Sequence, residues 1–388
     1  MTRKGLLFVL VTAVAVAGLL VAGCAPEAAP PEEEEAPPKE EEAPPEEEKP
    51  PAEPEEAQFK WRLQTPFPTG FVTYWEADTI GQWITEMSNG RITVDVLPSG
   101  AVVPGLKEMR AVHEGVLDAA WTGSHYHTSE IGLGGDLFNL YPAGLAPREM
   151  MTWVYEYGGD EQWQEMYDRM DLNVKAMFAG LTSAELFGWF KEPVDSMEDF
   201  KGMKFRTAGI WGEMLTEAGA AVVTMPGGEV YESAQRGVID AFEFSSPGVD
   251  YSAGFHELGA YMHGPGIHAP QAAFELLINK DSWNELSPDL QSIVMRAAEA
   301  MVARGWAHVD AYDTEGIQSL KEYGTEFVTL PVEVQEEIVE LANEKYDEIA
   351  QEDEFFARVL ESQRDFVAKY REFKAFTQPD PQIMTYQG

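Results

Sequence analysis

The sequence predicts an α/β protein whose folded part consists of two related lobes. From Gln58 onward the composition is that of a globular domain, and about 330 residues exceed what one hydrophobic core usually holds. Two stretches of this part also resemble each other, because GVLDA at 115–119 recurs as GVIDA at 237–241. Each stretch follows strand and helix patterns, so we expect parallel strand–helix–strand units in both lobes.

The strands and helices of these units are predicted from their periodicity. Apolar residues alternate with polar ones in RITVDV (91–96) and in MKFRTA (203–208), which is the period of a strand. Helical patterns follow in LKEMRAVHEG for the first unit, and in WGEMLTEAG and EVYESAQRG for the second. Gly90 and Gly202 precede the two strands and are interpreted as equivalent helix ends. Two such lobes would leave a ligand cleft at the carboxyl ends of their strands.

The N-terminal residues have the pattern of an export signal. Arg3 and Lys4 precede an apolar run from Leu6, which ends in small residues before Cys24, the only cysteine of the chain. This order predicts a signal peptide at 1–23 and a lipid-modified cysteine at Cys24, as in bacterial lipoproteins. The alternative is an uncleaved membrane anchor, although the run is near the lower length limit for spanning a bilayer.

A tether is predicted between Cys24 and the folded part. Residues 25–57 consist only of Pro, Glu, Ala and two Lys. Such a segment has no apolar side chains to bury in a core, and its prolines favour extended conformations. At about 3.1 Å per residue it would reach about 100 Å. We therefore interpret residues 24–57 as a lipidated cysteine followed by a disordered spacer.

The charge of the chain restricts its partners. The net charge is −40, of which the 14 Glu and 2 Lys of the tether account for −12, while the signal contributes +2. The folded part therefore carries about −30, which argues against nucleic acids and anionic membrane surfaces as partners. We expect contact with the membrane only through the lipid anchor.

The predicted strand ends supply a short list of candidate binding residues. Trp121 follows the first GVLDA stretch, Arg206 lies on the strand of the second unit, and Glu243 and Phe244 follow GVIDA. Aromatic rings with one arginine and one glutamate suit a small polar anion that has an apolar part. From the pattern alone, Arg206 is equally compatible with an ordinary surface arginine.

Several segments in the same order resemble the extracytoplasmic solute receptors of TRAP (tripartite ATP-independent periplasmic) transporters. The resemblance covers about 59–373 and rests on SNGRITVDVLPSGAVV, EGVLDAAWTG, FKGMKFRTAG, PGGEVYESAQRGVIDAFEF and FELLINKDSWNELSPDLQ. YGGDEQWQEMYDRMDLNVKAMFAG and GWFKEPV further resemble the branch that binds 2-oxo and 2-hydroxy monocarboxylates.

The resemblance implies a two-lobed type II periplasmic binding protein fold that a long helix crosses. That helix would lie within 286–324, where the sequence has a continuous helical pattern. Lobe 1 would comprise 58–184 and 268–295, and lobe 2 would comprise 185–267 and 296–388. A helix from the FFARVLESQRDFVAKYREF region can exchange between subunits in this branch, which implies a possible homodimer.

The resemblance also implies roles for individual residues. Arg206 would clamp the carboxylate of the ligand, since a guanidinium meets both carboxylate oxygens at once. The Glu243 side chain and the Phe244 carbonyl would hold Na⁺ or Ca²⁺, although the branch tends to have tryptophan at the position of Phe244. Glu185 stands where the branch tends to place glutamine. The expected ligand-binding residues are Arg206, Glu185, Trp121, Tyr126 and Glu243.

The resulting hypothesis is an extracytoplasmic receptor, lipid-anchored, that delivers a monocarboxylate such as pyruvate or lactate to membrane permease subunits. A C4-dicarboxylate or a sugar acid is the alternative ligand. A transition-metal-binding lipoprotein would use His125 and His127, which are spaced to share one face of a strand. A surface hydrolase or a structural protein on a stalk are further alternatives. The usual nucleophile, phosphate-binding and zinc-protease motifs do not occur, so we expect no enzyme.

Overall fold

The structure is a computed structural model that describes residues 57–258 and 261–379. The predicted signal peptide, the lipid attachment at Cys24 and the tether up to residue 56 lie outside the described residues, as do the last residues of the predicted lobe 2. No helix within the described ranges is both long and apolar enough to cross a bilayer.

Strands and helices alternate through most of the described chain. The strands are β1 (Phe59–Gln64), β2 (Ile92–Leu97), β3 (Ala119–Thr122), β4 (Val174–Leu181), β5 (Gly188–Phe190), β6 (Lys204–Arg206), β7 (Ala221–Val223), β8 (Ala241–Phe242), β9 (Tyr261–Gly264), β10 (Ala273–Asn279) and β11 (Phe327–Thr329). The α-helices are α1 (Val72–Met87), α2 (Glu108–His113), α3 (Thr128–Ile131), α4 (Pro147–Glu156), α5 (Gly159–Asp168), α6 (Gly209–Glu217), α7 (Gly227–Gln235), α8 (Pro247–Ser252), α9 (Lys280–Asn284), α10 (Pro288–Tyr323), α11 (Val332–Glu352) and α12 (Glu354–Thr377).

The strands form two separate sheets. The first has the order β2-β1-β3-β10-β4, in which β1 runs parallel to β2 and β3 while β10 is antiparallel to both of its neighbours. The second has the order β11-β9-β5-β8-β6-β7, in which β6 runs parallel to β7 and β8. This mixed α/β architecture confirms the predicted fold class.

The repeated GVLDA and GVIDA stretches occupy equivalent places in the two sheets. Asp118 accepts a hydrogen bond from the backbone N–H of Arg62 at 2.9 Å, and Asp240 accepts one from that of Lys204 at 3.2 Å. Each aspartate thereby fastens its turn to the parallel strand alongside it, β1 in one sheet and β6 in the other. The structural repeat is therefore real and not a chance match of five residues.

The predicted pairing of strands within the repeat is wrong in one respect. Because β1 lies between β2 and β3 as β6 lies between β7 and β8, the counterpart of MKFRTA is β1 and not RITVDV. Likewise Gly90, which follows α1, corresponds to Gly219 after α6 and not to Gly202. The sequence concealed this because β7 is only three residues long and all three are apolar, so they show no apolar–polar alternation.

Helix α10 connects the two halves of the fold. Its 36 residues span about 54 Å at 1.5 Å per residue, and it packs on β4 and α1 as well as on α8 of the second half. It ends at Gly324, whose φ of 94° is the left-handed conformation that glycine adopts at helix ends. The predicted long helix that crosses both lobes is confirmed.

Two further segments cross between the sheets and pair with each other. The Glu185 N–H donates to the carbonyl of Ala269 at 3.0 Å, and the Thr182 N–H donates to that of Ala272 at 2.9 Å. At Gly266 a side chain would collide with the Glu185 carbonyl, so glycine permits this close approach. The predicted lobe boundaries at 184/185 and 267/268 fall in these two segments.

The apolar stripe of the last helix packs against its own chain. Phe355, Phe356, Val359 and Leu360 of α12 are buried in the hydrophobic core. Toward the end of the helix the packing stops, and Phe376 is 93% exposed. The core-facing residues thus account for the predicted stripe, and a homodimer through this helix stays a prediction.

A buried carboxyl group in the first sheet predicts a pH dependence of stability. Glu275 on β10 is fully buried and accepts hydrogen bonds from Trp163 Nε1 and Tyr167 Oη, each at 2.6 Å. Burial raises its pKa from the ordinary 4.5 to about 7. Because the pKa is higher in the folded state, the stabilisation by this group is complete below about pH 4.5 and is lost as the pH rises through 7.

We expect the Glu275→Gln variant to lose this dependence, since glutamine can accept from Trp163 and donate to Tyr167 without ionising. Between pH 4.5 and 7.5 the wild-type protein should lose up to about 3 kcal/mol of unfolding free energy relative to the variant. Urea unfolding at four pH values measures this difference. If the unfolding free energies of the two proteins changed with pH in the same way, the pKa of Glu275 would be the same in the folded and unfolded states.

Candidate functional site

A small enclosed cavity lies at the carboxyl ends of β6 and β8. One wall is apolar, with Phe67, Phe274 and Leu140 from the first half of the fold. The opposite side is polar and consists of Tyr126, Glu185, Arg206, Thr207, Glu243 and Ser245.

Arg206 lies at the centre of the polar side. It is the last residue of β6 and is 3% exposed. Its Nη1 donates to the carbonyl of Glu243 at 3.0 Å and to Glu243 Oε1 at 3.1 Å, while Nη2 donates to the Met225 carbonyl at 3.3 Å. Its Nε has no hydrogen-bond partner among the described residues. The guanidinium is thus held in place and still has a donor for a ligand.

Local strand geometry explains why Arg206 and Glu243 meet. The parallel pairing sets Arg206 beside Phe242, so Glu243 is the next residue along the neighbouring strand. The Glu243 N–H also donates to the Arg206 carbonyl at 3.3 Å. The ring of Phe244 lies 5.6 Å from the guanidinium carbon, which adds a cation–π contact.

A second carboxylate and an imidazole stand next to this pair. Glu185, Glu243 and His268 can each supply one atom such that all three atoms lie within 4.8 Å of one another. His268 Nε2 is 3.4 Å from Glu185 Oε2, and all three residues are buried. Burial, together with the charge of Glu243, raises the pKa of Glu185 well above its usual value. Burial lowers the pKa of His268 to about 4, so its imidazole is neutral near pH 7.

The remaining polar groups of the cavity are neutral near pH 7. Burial raises the pKa of Tyr126 to about 12, so its hydroxyl remains a hydrogen-bond donor beside Arg206. Burial and the nearby Arg206 charge lower the pKa of His125 well below its usual value. Among the described residues that line the cavity, Arg206 is the only lysine or arginine. The arrangement can bind an anion and shows no activated nucleophile.

Most of the predicted binding residues line this cavity. Arg206, Glu185, Tyr126, Glu243 and Phe244 all do so.

Trp121 does not line the cavity and is the exception. It is fully buried in the core of the first sheet, where its ring stacks on Phe274 with the centroids 4.4 Å apart and contacts Phe67 at 6.0 Å. Phe67 and Phe274 thus form the cavity wall, with Trp121 packed behind them. The sequence analysis predicted correctly that Trp121 lies near a strand end. It predicted wrongly that the side chain points into the cavity.

The histidines are arranged differently from the expected strand pair. His125 and His127 lie in a 3₁₀ helix, in which residues two apart do not share one face. His125 lines the cavity, while His127 Nε2 is 3.3 Å from the Thr122 hydroxyl. The metal pair of the alternative, transition-metal hypothesis is therefore not formed on one face. His268 joins the two glutamates because the segment that crosses back to the first sheet carries it there, and no local sequence signal indicates this.

Comparison with known proteins identifies the family. Residues 66–353 match the family described as bacterial extracellular solute-binding protein, family 7. The chain belongs to this family of TRAP-transporter solute receptors.

Individual relatives are similar over most of the chain. A monocarboxylate 2-oxoacid-binding periplasmic protein of Nostoc is 31% identical over 309 residues, which are 79% of this chain and 84% of the relative. A TRAP solute-binding protein of Colwellia psychrerythraea, solved with bound calcium and pyruvate, has a TM-score of 0.78 at 28% identity. It covers 82% of this chain and 97% of its own. One from Pseudoalteromonas atlantica, solved with sodium and pyruvate, has a TM-score of 0.78 at 26% identity, with the same shares covered.

Proposed function

We propose that this receptor binds a small 2-oxo or 2-hydroxy monocarboxylate, such as pyruvate or lactate. The observation that carries the proposal is the position of Arg206, a single buried cation at the end of β6 in a cavity that Phe67 and Phe274 also line. The ligands of the Nostoc, Colwellia and Pseudoalteromonas proteins support the same chemistry, since each is described with 2-oxo acids or pyruvate.

The ligand carboxylate would bind the guanidinium of Arg206. Each charge-assisted hydrogen bond of such a pair contributes about 1.5–3 kcal/mol. The Tyr126 hydroxyl would add a neutral donor, because its raised pKa keeps it protonated. The apolar end of the ligand would lie against Phe67 and Phe274.

Charge argues against the alternative dicarboxylate ligand. A second carboxylate would require another cation, whereas the cavity wall instead carries the carboxyl groups of Glu185 and Glu243. Two like charges held close together in a buried site destabilise each other.

A bound cation would reconcile these glutamates with an anionic ligand. The buried Oε2 of Glu185 has no hydrogen-bond partner among the described residues, and Glu243 lies beside it, so the donor set fits a positive ion. The Glu243 carboxylate and the Phe244 carbonyl are the proposed ligands, with Na⁺ or Ca²⁺ as the ion. The ion would neutralise carboxylate charge next to the ligand.

The proposal extends to where the receptor acts. We infer that Cys24 is lipidated after removal of residues 1–23 and that the segment up to residue 57 tethers the receptor outside the cell membrane. From there it would deliver its ligand to TRAP permease subunits without any catalysis of its own. A homodimer through α12 remains part of the proposal, and the exposed Phe376 is compatible with it.

Replacement of Arg206 by lysine tests the carboxylate clamp. Lysine keeps a positive charge beside Glu243 and so preserves the fold, but it loses the planar fork. We expect pyruvate affinity, measured by calorimetry, to fall at least about tenfold, while the unfolding midpoint changes little. As a control, Lys204→Arg alters the exposed residue at the other end of the same strand. A fall in pyruvate affinity of less than threefold, which corresponds to about 0.6 kcal/mol, would contradict the clamp.

Ligand binding should also close the two lobes. The crossing segments at 182–187 and 264–272 are the candidate hinge, because the chain passes between the sheets there. Small-angle scattering should show a smaller radius of gyration when pyruvate is added to the purified protein. An unchanged profile at saturating pyruvate would indicate a rigid cleft.

A further inference from the structure

The hydroxyl of Thr73 lies at the ligand cavity without a hydrogen-bond partner. Thr73 is 2% exposed and lines the cavity together with Arg206 and Glu243. Its Oγ1 is buried and has no hydrogen-bond partner among the described residues. Because a buried hydroxyl without a partner is costly, this atom indicates a polar group on the ligand that would bind there.

The position of Thr73 in helix α1 explains why its hydroxyl is available. Thr73 is the second residue of α1, so the residues three and four positions before it lie outside the helix. A threonine inside a helix can donate to the carbonyl four residues earlier, as Thr85 of the same helix does to Gly81 at 2.9 Å. Thr73 has no such acceptor within α1, and its hydroxyl can therefore serve a ligand.

The N-terminus of α1 favours an oxygen atom with partial negative charge. The first N–H groups of a helix have no acceptor within the helix, and the preceding residue, Phe71, has no side-chain acceptor to cap them. The first turn contains no acidic residue. Glu76, one turn later, is fully buried, and burial raises the pKa of its carboxyl group well above the usual value, which favours the uncharged form. The helix end thus keeps its partial positive charge.

This helix end lies close to the carboxylate clamp. The ring of Phe71 contacts that of Phe244, with the centroids 5.9 Å apart, and the Phe244 ring lies 5.6 Å from the guanidinium carbon of Arg206. Phe244 therefore contacts both the residue that precedes α1 and the arginine. Since Thr73 and Arg206 line the same cavity, one ligand can contact both of them.

The chemistry of a hydroxyl matches the proposed ligand class. A threonine hydroxyl can donate to a ketone oxygen, and it can either donate to an alcohol or accept from one. It therefore suits both 2-oxo and 2-hydroxy acids, whereas a guanidinium can only donate. Tyr126, another hydroxyl that lines the cavity, lies beside Arg206 and is placed for the carboxylate instead.

We infer that Thr73, at the N-terminus of α1, binds the 2-oxygen of the ligand and thereby selects 2-oxo and 2-hydroxy acids over unsubstituted monocarboxylates. The inference deepens the proposed function and rests on it, because it presupposes a ligand carboxylate at Arg206. It assigns a specificity-determining residue to the first lobe, which otherwise provides the aromatic rings of the cavity.

Replacement of Thr73 by valine tests this contact, because valine keeps the size and branching of threonine and removes only the hydroxyl. Calorimetry on the purified full chain, in a buffer with both Na⁺ and Ca²⁺, compares pyruvate and lactate with propionate. Propionate has the same three carbons and the same carboxylate but no oxygen at the second carbon. In Thr73→Val the affinity for pyruvate and lactate should fall at least about fivefold, whereas the affinity for propionate should not fall.

Two further variants control for effects on the fold. Thr73→Ser retains the hydroxyl and should keep pyruvate affinity within about threefold of the wild-type value. Thr79→Val makes the same change further along α1, at a residue that is 8% exposed and does not line the cavity, and it should leave pyruvate affinity unchanged. Thermal unfolding midpoints verify that each variant is folded.

The outcomes separate the role of Thr73 from the proposed function. Unchanged pyruvate affinity in Thr73→Val, or an equal fall for pyruvate and propionate, would overturn the inference and leave the monocarboxylate receptor intact. A wild-type protein that binds neither pyruvate nor lactate would contradict the proposed function, and the assignment of Thr73 with it.

Discussion

The buried ion pair between Arg206 and Glu243 is the interaction on which the cavity depends. The two residues lie at the ends of adjacent parallel strands and are bonded through both the side chain and the carbonyl of Glu243. A buried pair contributes little net stability by itself, but the loss of one partner leaves an uncompensated charge. The pair therefore fixes the guanidinium at a single position, and it also brings negative charge to an anion site. Glu185 adds a second carboxyl group beside the pair, and a bound cation would offset carboxylate charge next to the ligand.

The structural repeat shows that only one of the two lobes has an arginine at this strand end. Leu63 pairs with Ala119 as Phe205 pairs with Ala241, so Gln64 is the counterpart of Arg206. Gln64 Nε2 donates to Glu108 at 3.0 Å and to the Val103 carbonyl at 2.9 Å, while its Oε1 accepts from the Val102 N–H at 2.8 Å. In the first lobe the side chain at this position therefore hydrogen-bonds to other residues of the protein. That lobe instead contributes rings such as Phe67 and Phe274, while the charged Arg206 and Glu243 come from the second lobe.

The sequence predicted those features that are encoded locally. The long helix α10 follows from a continuous helical pattern ending at Gly324. The strand pattern placed Arg206 at a strand end, but only the family resemblance indicated that it binds the ligand. Trp121 was misplaced because the sequence does not specify which side of a short buried strand faces the cavity. His268 and Glu185 are distant in the sequence and meet only because the crossing segments pair with each other. No local sequence pattern indicates such a contact.

The most direct measurement is a crystal structure of the protein grown with pyruvate and calcium. We predict the ligand carboxylate within hydrogen-bonding distance of the Arg206 guanidinium, and the calcium ion at the Glu243 carboxylate and the Phe244 carbonyl. The methyl group should lie against Phe67 and Phe274. Pyruvate bound with its carboxylate directed away from Arg206, or in a different part of the fold, would contradict the central claim that this arginine is the anchor of the ligand.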